Sequence, residues 1–334
     1  MKLTLFLIAF FLVLLRVYFS WAGYARHDSR NDGNVTIKGD NFIEEIHWSG
    51  KVRLSDDEKS IADITPGGYL KFRENDQTFK AESNLQGEIA YTLYDGRENL
   101  TLDDSGRRFV AGVLQKMIAR GFYSDGRAQR IAQKGGNQAL LTEISHMEMD
   151  GAAYQYVDLL FNSDSMTETE QVALLKQIGQ MENNKKEEYL ERFTQAQLND
   201  SIVGSYWLTT VKDIFPDDNK KDLLMRYIGQ VADSTGLPNN RFDSVVAAAG
   251  HIGSDGERED LYLLLIDSVK KTDAEWISLI RAGAAMDNDN SKSDMLVRIA
   301  KKMPIDDSVK AEYKTAARTI RDDAEYGKAM RAIE

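Results

Sequence analysis

One short acidic segment has the residue types of a calcium loop. Residues 287–291 (DNDNS) place oxygen-bearing side chains at the first, third and fifth positions, as an EF-hand loop does. However, Lys292 follows where the sharp turn needs glycine, and Arg298 stands where a bidentate glutamate closes such a site. The segment is therefore interpreted as a turn between two helices, and no metal ligand is assigned to it.

Two of the four histidines occupy equivalent positions in a sequence repeat. His146 precedes Met147, and His251 precedes Ile252. Three repeat steps separate them, which corresponds to about 25–30 Å when each packed helix adds 8–10 Å. Ligands of one metal ion lie about 2 Å from it. We therefore interpret both histidines as surface residues at helix ends.

Other catalytic patterns are absent from the sequence. The chain has no cysteine, which excludes thiolate zinc sites, disulfides and cysteine nucleophiles. It has no Gly-x-Ser-x-Gly and no His-Glu-x-x-His, and its Gly-rich stretch at 66–68 lacks the spacing of a phosphate loop and reads as a β turn. No catalytic, cofactor-binding or metal residue is assigned, and the chain is predicted not to be an enzyme.

The charge of the chain limits its partners. The formal net charge is −11, whereas sequence-independent binding of nucleic acid requires clustered lysine and arginine. An anionic membrane surface would likewise repel the folded part of the chain. Nucleic acid is therefore excluded as a predicted partner.

A local pattern recurs six times between residues 144 and 323. Each copy has an apolar or small residue, an apolar residue three positions on, and Asp or Asn three positions further. The steps between the middle residues are 34, 33, 38, 34 and 34, which is typical of stacked helix-turn-helix repeats. The six copies are Ile144-Met147-Asp150, Ile178-Met181-Asn184, Val211-Ile214-Asp217, Ala249-Ile252-Asp255, Gly283-Met286-Asp289 and Ala317-Ile320-Asp323.

The acid or amide that closes each copy has a predicted structural role. It stands at the start of the second helix of each repeat, where the first backbone N–H groups have no partner within the helix. We predict that these side chains cap that helix, each contributing about 1 kcal/mol.

The N-terminus predicts export from the cytoplasm. Leu3 to Leu15 is an apolar run apart from Thr4, and the apolar character resumes after Arg16 up to Ala22. Residues 1–22 therefore read either as a cleaved signal peptide, with a small-x-small site at 20–22, or as a membrane anchor through residues 3–22. The first reading predicts a secreted or periplasmic protein. The second predicts an anchored protein whose body lies outside the cytoplasm.

Polar residues 23–34 are predicted to be a linker, and the pattern then changes to a period of two. Residues 35–102 contain alternating runs separated by turn signals, including Asp95-Gly96, and predict five to seven short antiparallel strands. Residues 103–137 are predicted to be a helical junction, in which Asp103 to Ser105 cap a helix that Gly121 ends. Gly135-Gly136 is interpreted as a break before the next helix.

Turn and repeat motifs in this order resemble a known type of bacterial envelope region. Thr65-Pro66-Gly67-Gly68-Tyr69-Leu70 comes first, then Leu102-Asp103-x-x-Gly106, then Gly135-Gly136-x-x-Ala139-Leu140-Leu141-x-Glu143-Ile144. Residues 40–334 thus resemble the extracytoplasmic region attached to anti-sigma-factor-like and antirepressor-type metallopeptidase membrane proteins. The resemblance implies an envelope location. Protease and sigma-binding roles do not carry over, because the chain lacks the metallopeptidase motif and the zinc-finger cysteines.

The predicted fold is α+β and mostly α. A small antiparallel β-domain precedes an α-helical solenoid, residues 138–334, of about six helix-turn-helix repeats of about 34 residues, similar in length to TPR and HEAT arrays. The predicted function is a non-enzymatic interaction or scaffold module of the cell envelope, with a role in sensing or signalling and a protein or peptide partner on the solenoid. A structural envelope protein without a discrete partner is one alternative. A glycan-acting hydrolase with acids at the junction is another.

Overall fold

The computed structural model describes residues 32–38, 43–122, 124–147, 150–163, 165–233, 236–237, 241–268 and 270–334. The predicted signal or anchor segment, residues 1–22, lies outside these ranges. Within them, no helix is both long enough and apolar enough to cross a membrane. The described residues form two compact units, residues 32–127 with 146–155, and residues 128–145 with 156–334. The fold is α+β and mostly α, as predicted.

The first unit contains more strands than the five to seven predicted. Six strands form one antiparallel sheet in the order β1-β2-β5-β6-β7-β8. The two strands that follow β2 in the chain, β3 and β4, form a separate hairpin. The eight strands are β1 (Gly33–Lys38), β2 (Ile43–Ser49), β3 (Val52–Leu54), β4 (Ile61–Ile64), β5 (Tyr69–Glu74), β6 (Gln77–Ser83), β7 (Ile89–Asp95) and β8 (Glu98–Asn99).

Both predicted glycine turns connect strands of this unit. Gly96 has a φ of 63° between β7 and β8, a backbone conformation in which glycine has no steric penalty. Gly67 has a φ of 78°, and the Gly68 N–H donates to the Thr65 carbonyl at 2.8 Å. The stretch at 66–68 is therefore the β turn that the sequence indicated.

One helix, α1 (Asp104–Ala119), covers the sheet. Asp103 caps it by accepting hydrogen bonds from two backbone N–H groups, and Gly121, with a φ of 89°, follows its end, as predicted. Its apolar face packs on the sheet in one core. That core contains Ile46, Leu54, Ile61, Ile64, Leu70, Phe72, Phe79, Ala81, Leu93, Val110, Val113, Leu114, Met117, Ile118 and Phe122.

A buried carboxylate lies between this helix and the sheet. Glu44 on β2 is 1% exposed, and its Oε2 accepts a hydrogen bond from Arg120 Nε at 3.2 Å. Its other oxygen has no hydrogen-bond partner. Burial raises the pKa of Glu44; the Arg120 guanidinium opposes this effect and the neighbouring Glu74 adds to it.

The raised pKa gives a testable pH dependence. The folded state holds the Glu44 proton more tightly than the unfolded chain does, so ionisation costs stability as the pH rises above 4.5. Glu44→Gln has no such proton and keeps an acceptor for Arg120. We expect the free energy of unfolding of the wild type, relative to this variant, to fall between pH 4 and pH 7 in urea titrations. Glu45→Gln is the matched control, and a pH-independent difference for Glu44→Gln would contradict the prediction.

Thirteen further helices follow in the described residues. The break predicted at Gly135-Gly136 does not end the helix, which runs from Ser124 to Ile144. Gly136 nevertheless has a φ of 61°, a left-handed conformation that glycine adopts without steric penalty. The helices are α2 (Ser124–Ile144), α3 (Asp150–Phe161), α4 (Glu168–Ile178), α5 (Asn183–Leu190), α6 (Gln195–Asn199), α7 (Ser201–Val211), α8 (Asp217–Val231), α9 (Arg241–Ala249), α10 (Asp255–Ser268), α11 (Asp273–Ala284), α12 (Asp289–Ala300), α13 (Asp307–Ala317) and α14 (Asp323–Arg331).

Helices of the second unit stack in two layers. The first helices of successive hairpins, α4, α7, α9, α11 and α13, contact one another in that order. The second helices, α8, α10, α12 and α14, do the same. This arrangement is the predicted helical-repeat array, in which each hairpin buries its apolar faces against its neighbours. The short helix α6 was not predicted.

Aspartates at the first residue of α8, α10 and α12 tie each hairpin to the next. The Oδ2 atom of each accepts hydrogen bonds from two consecutive backbone N–H groups in the turn of the following hairpin, and we call this contact the inter-repeat clamp. The pairs are Asp217 with Gly253 and Ser254 at 2.9 and 3.0 Å, Asp255 with Asp287 and Asn288 at 2.8 and 2.6 Å, and Asp289 with Arg321 and Asp322 at 3.0 and 3.0 Å.

The capping role predicted for these aspartates is therefore wrong. At α10, α12 and α14 the cap is the preceding residue: Ser254 accepts from the Glu257 N–H at 3.4 Å, Asn288 accepts from the N–H groups of Asn290 and Ser291, and Asp322 caps α14 in the same way. Pro216, which precedes α8, makes no side-chain cap. A capping residue needs an extended backbone, and Asn288 has a ψ of 121°. Asp289 is already helical, so its side chain extends to the next hairpin instead.

Candidate functional site

An open groove of about 870 Å³ lies between neighbouring hairpins of the second unit. One stripe of α9 and one stripe of α11 form its walls, and α10 forms its floor. Its volume falls within the range of small-ligand and peptide sites. The lining residues are Asp243, Val246, Ala247 and Gly250 on one wall, Ala274, Ile277, Ser278, Arg281, Ala282 and Ala285 on the other, and Arg258 and Tyr262 on the floor.

The floor of the groove carries two polar side chains that are almost fully buried. Arg258 is 9% exposed, and its Nη2 donates to Asp255 Oδ1, while its Nε has no hydrogen-bond partner. Tyr262 is 2% exposed, and burial raises its pKa to about 12. The phenol is therefore protonated at neutral pH. Arg258 Nε is a donor without an acceptor at the floor and is shielded from solvent.

The walls combine small apolar residues with charges at the rim. Arg281 is exposed and donates through Nε to Glu312 Oε1 at 2.9 Å. Asp243 stands on the opposite wall and is exposed. Of the described residues that line the groove, two are arginines and one is an aspartate, so the lining is more basic than the acidic chain as a whole.

The residues that the sequence singled out lie elsewhere. His146 and His251 are both exposed and follow the ends of α2 and α9. In residues 287–291, the side chains of Asn288 and Asp289 accept backbone hydrogen bonds. No group of three potential metal ligands occurs in the part of the chain that the structure describes.

A second polar cluster surrounds Lys271, between α10 and α11. Its Nζ donates to the Ile266 carbonyl at 3.0 Å and lies 4.7 Å from the centroid of the Trp276 ring. Burial lowers the pKa of Lys271 to about 8, and the charge of Lys302 contributes to the same shift. Lys302 itself pairs with Asp267 at 2.7 Å.

The pKa of the Lys271 side chain should lie well below the ordinary value of a lysine amine. We expect ¹³C NMR of the chain labelled at lysine Cε to show a Lys271 midpoint near 8, because the buried ammonium is poorly solvated. Lys302→Gln should raise this midpoint by removing a neighbouring positive charge. Lys301→Gln, which removes an exposed lysine one position earlier, is the control. A midpoint above 10 would contradict the prediction.

Sequence reasoning did not identify Arg258. The signal that could have found it is an aspartate followed three positions later by a basic residue, at Asp217/Lys220, Asp255/Arg258 and Asp289/Lys292. The pattern recurs with the period of the repeats. It does not by itself indicate a site, because only the structure shows which of the three cations has a donor without a hydrogen-bond partner.

Comparison of the chain with protein-family models, with curated proteins and with solved structures gives no match.

Proposed function

We propose that the helical array is a non-enzymatic binding module that holds a protein or peptide partner in the groove between α9 and α11. The observation that carries this proposal is the open groove of about 870 Å³ with apolar walls and an arginine on its floor that has an unpaired donor. Such a combination of apolar surface and few polar groups is typical of binding sites.

The inter-repeat clamps support a binding role. Asp217 links α8 to the turn before α10, and Asp255 links α10 to the turn before α12. These contacts restrict movement between the helices that form the groove. A rigid, preformed site loses less conformational entropy when a partner binds.

Hydrolysis of a glycan is less well supported by the groove. Retaining and inverting glycosidases generally use two carboxyl groups on opposite sides of the scissile bond. Among the described lining residues, Asp243 is the one carboxylate. A binding module requires no such pair.

The proposed location is the cell envelope, with the body outside the cytoplasm. This part of the proposal rests on the apolar run at residues 3–22 and on the resemblance of residues 40–334 to envelope regions. A role in envelope sensing or signalling would follow from partner binding at this location.

Site-specific photo-crosslinking of the full chain in intact cells tests the proposal. A photoreactive phenylalanine derivative replaces Ser278, which lines the groove, or Asp222, which is exposed on α8 outside the groove lining. We expect a discrete crosslinked protein from position 278 alone, and mass spectrometry then identifies it and the N-terminus of the mature chain. No adduct at position 278, or the same adducts at both positions, would refute a groove-specific partner.

A further inference from the structure

Three basic residues, Lys220, Arg258 and Lys292, occupy equivalent positions in successive hairpins, and the one that lines the groove makes different contacts from the other two. Each follows a clamp aspartate by three positions, and each is buried. Lys220 Nζ donates to the His251 carbonyl at 2.6 Å, and Lys292 Nζ donates to the Thr319 carbonyl at 3.4 Å. Both carbonyls lie two residues before the first N–H that the clamp aspartate binds. In these two hairpins the cation thus completes the contact with the next turn.

The third cation does not complete this contact. Arg258 donates to Asp255, its Nε has no hydrogen-bond partner, and its side chain lines the groove. Ala285 stands at the position equivalent to His251 and Thr319 and also lines the groove. A buried donor without a partner costs about 1–3 kcal/mol, so an acceptor supplied by a ligand would remove this cost.

The chemistry of the lining favours a negatively charged acceptor. Arg281 adds a second guanidinium on the wall formed by α11. It is largely exposed and pairs with Glu312 through Nε and Nη2, so a ligand carboxylate would share this guanidinium with Glu312. Val246 and Ile277 supply apolar surface on the opposing walls. Guanidinium groups form charge-assisted, often bidentate, hydrogen bonds with carboxylates.

We propose that this groove recognises an acidic peptide segment, whose Asp or Glu carboxylate accepts hydrogen bonds from Arg258 and Arg281 while its neighbouring side chains contact Val246 and Ile277. This inference rests on the proposed binding function and names the chemical class of the partner. Acidic side chains elsewhere on the chain oppose the approach of such a peptide only weakly, since physiological salt screens charges beyond about 8 Å.

The experiment compares acidic peptides with neutral twins. The full chain is incubated with an array of ten-residue peptides of random sequence, in which each peptide containing Asp or Glu has a twin containing Asn or Gln. We expect the bound set to be enriched in acidic members. Fluorescence anisotropy of the strongest binder should give a dissociation constant at least tenfold lower than that of its twin.

Arg258→Lys tests the assigned residue without loss of the fold. Lysine is the residue that the two equivalent hairpins contain, so we expect its Nζ to donate to the Ala285 carbonyl and the melting temperature to remain unchanged. Affinity for the acidic peptide should fall at least tenfold. Arg318→Lys, a substitution of an exposed arginine outside the groove, is the control and should leave affinity unchanged.

Three outcomes would overturn the inference: no bound peptides, equal binding of acidic peptides and their neutral twins, or unchanged affinity in Arg258→Lys. The crosslinking experiment separates this failure from that of the proposed function. A partner captured at position 278 whose binding survives Arg258→Lys would support the binding module and refute the carboxylate contact. If acidic peptides bind through Arg258 but no partner is crosslinked in cells, the carboxylate contact would be supported and a groove-specific cellular partner would be refuted.

Discussion

Replacing Asp255 with alanine should destabilise the helical array by about 3 kcal/mol, because it removes two charge-assisted hydrogen bonds and the partner of a buried arginine. Asp255 accepts from the N–H groups of Asp287 and Asn288 at 2.8 and 2.6 Å. It also pairs with Arg258, which is 9% exposed. Urea unfolding followed by circular dichroism measures the loss.

The position of the clamp predicts a second effect on unfolding. In a repeat array, stability is a sum of the stabilities of single repeats and of the interfaces between neighbours. Asp255→Ala weakens one interface, so the hairpins on its two sides should unfold less cooperatively, with a smaller dependence on urea. Native-state hydrogen exchange should show the amides of Asp287 and Asn288 losing protection first.

Asp287→Ala is the matched control for this prediction. Asp287 is an exposed acid in the same turn, and its contact with the clamp is made by its backbone N–H, which alanine retains. Asp287→Ala removes one negative charge, as Asp255→Ala does. Equal losses of stability in the two variants would mean that charge, and not the clamp, accounts for the effect.

Local sequence signals predicted the parts of the fold that depend on neighbouring residues. The Asp95-Gly96 turn needs a positive φ at glycine, and the Asp103 cap binds N–H groups two and three residues away. The period of the repeats also appeared, because every hairpin buries the same face. The turn and the cap are each determined by a few adjacent residues, and the repeat is visible because its pattern recurs at a regular step.

The missed features depend on residues far apart in the chain. Asp217 and Gly253 are 36 positions apart, and the pattern at Asp217 alone is the same as that of a helix cap. The groove also escaped prediction. Val246 and Ile277 are apolar residues on helices, and no sequence period distinguishes one that lines an open groove from one that packs in the core. Only the placement of α9, α10 and α11 separates these possibilities.

Gly204→Ala should destabilise the array by about 2 kcal/mol through overpacking, although alanine normally stabilises a helix by about 1 kcal/mol over glycine. Gly204 lies within α7, where an added Cβ would lie 2.6 Å from the Leu198 carbonyl oxygen, 2.9 Å from Arg241 Nη1 and 3.0 Å from the Tyr227 hydroxyl. These three atoms belong to one buried network that cannot move aside freely.

That network explains why the added methyl group would be costly. Arg241 is 4% exposed, and it donates to the carbonyls of Leu198 and Asn199, at the end of α6, and to the Tyr227 hydroxyl at 3.1 Å. Displacing the guanidinium would leave these acceptors buried without a donor, which costs more than the alanine gains.

Gly229→Ala on α8 provides the matched control, because no described atom beyond its own helical backbone and chain neighbours lies within 4 Å of its added Cβ and Gly229 is exposed. We expect this variant to gain up to about 1 kcal/mol, so the two glycine variants should differ by about 3 kcal/mol in urea unfolding. Arg241→Met should cost less stability in the Gly204→Ala background than in the wild type, since the shared contact makes the two substitutions non-additive. If both glycine variants gain stability, the space beside Gly204 is not filled by the Arg241 network and the packing argument is wrong.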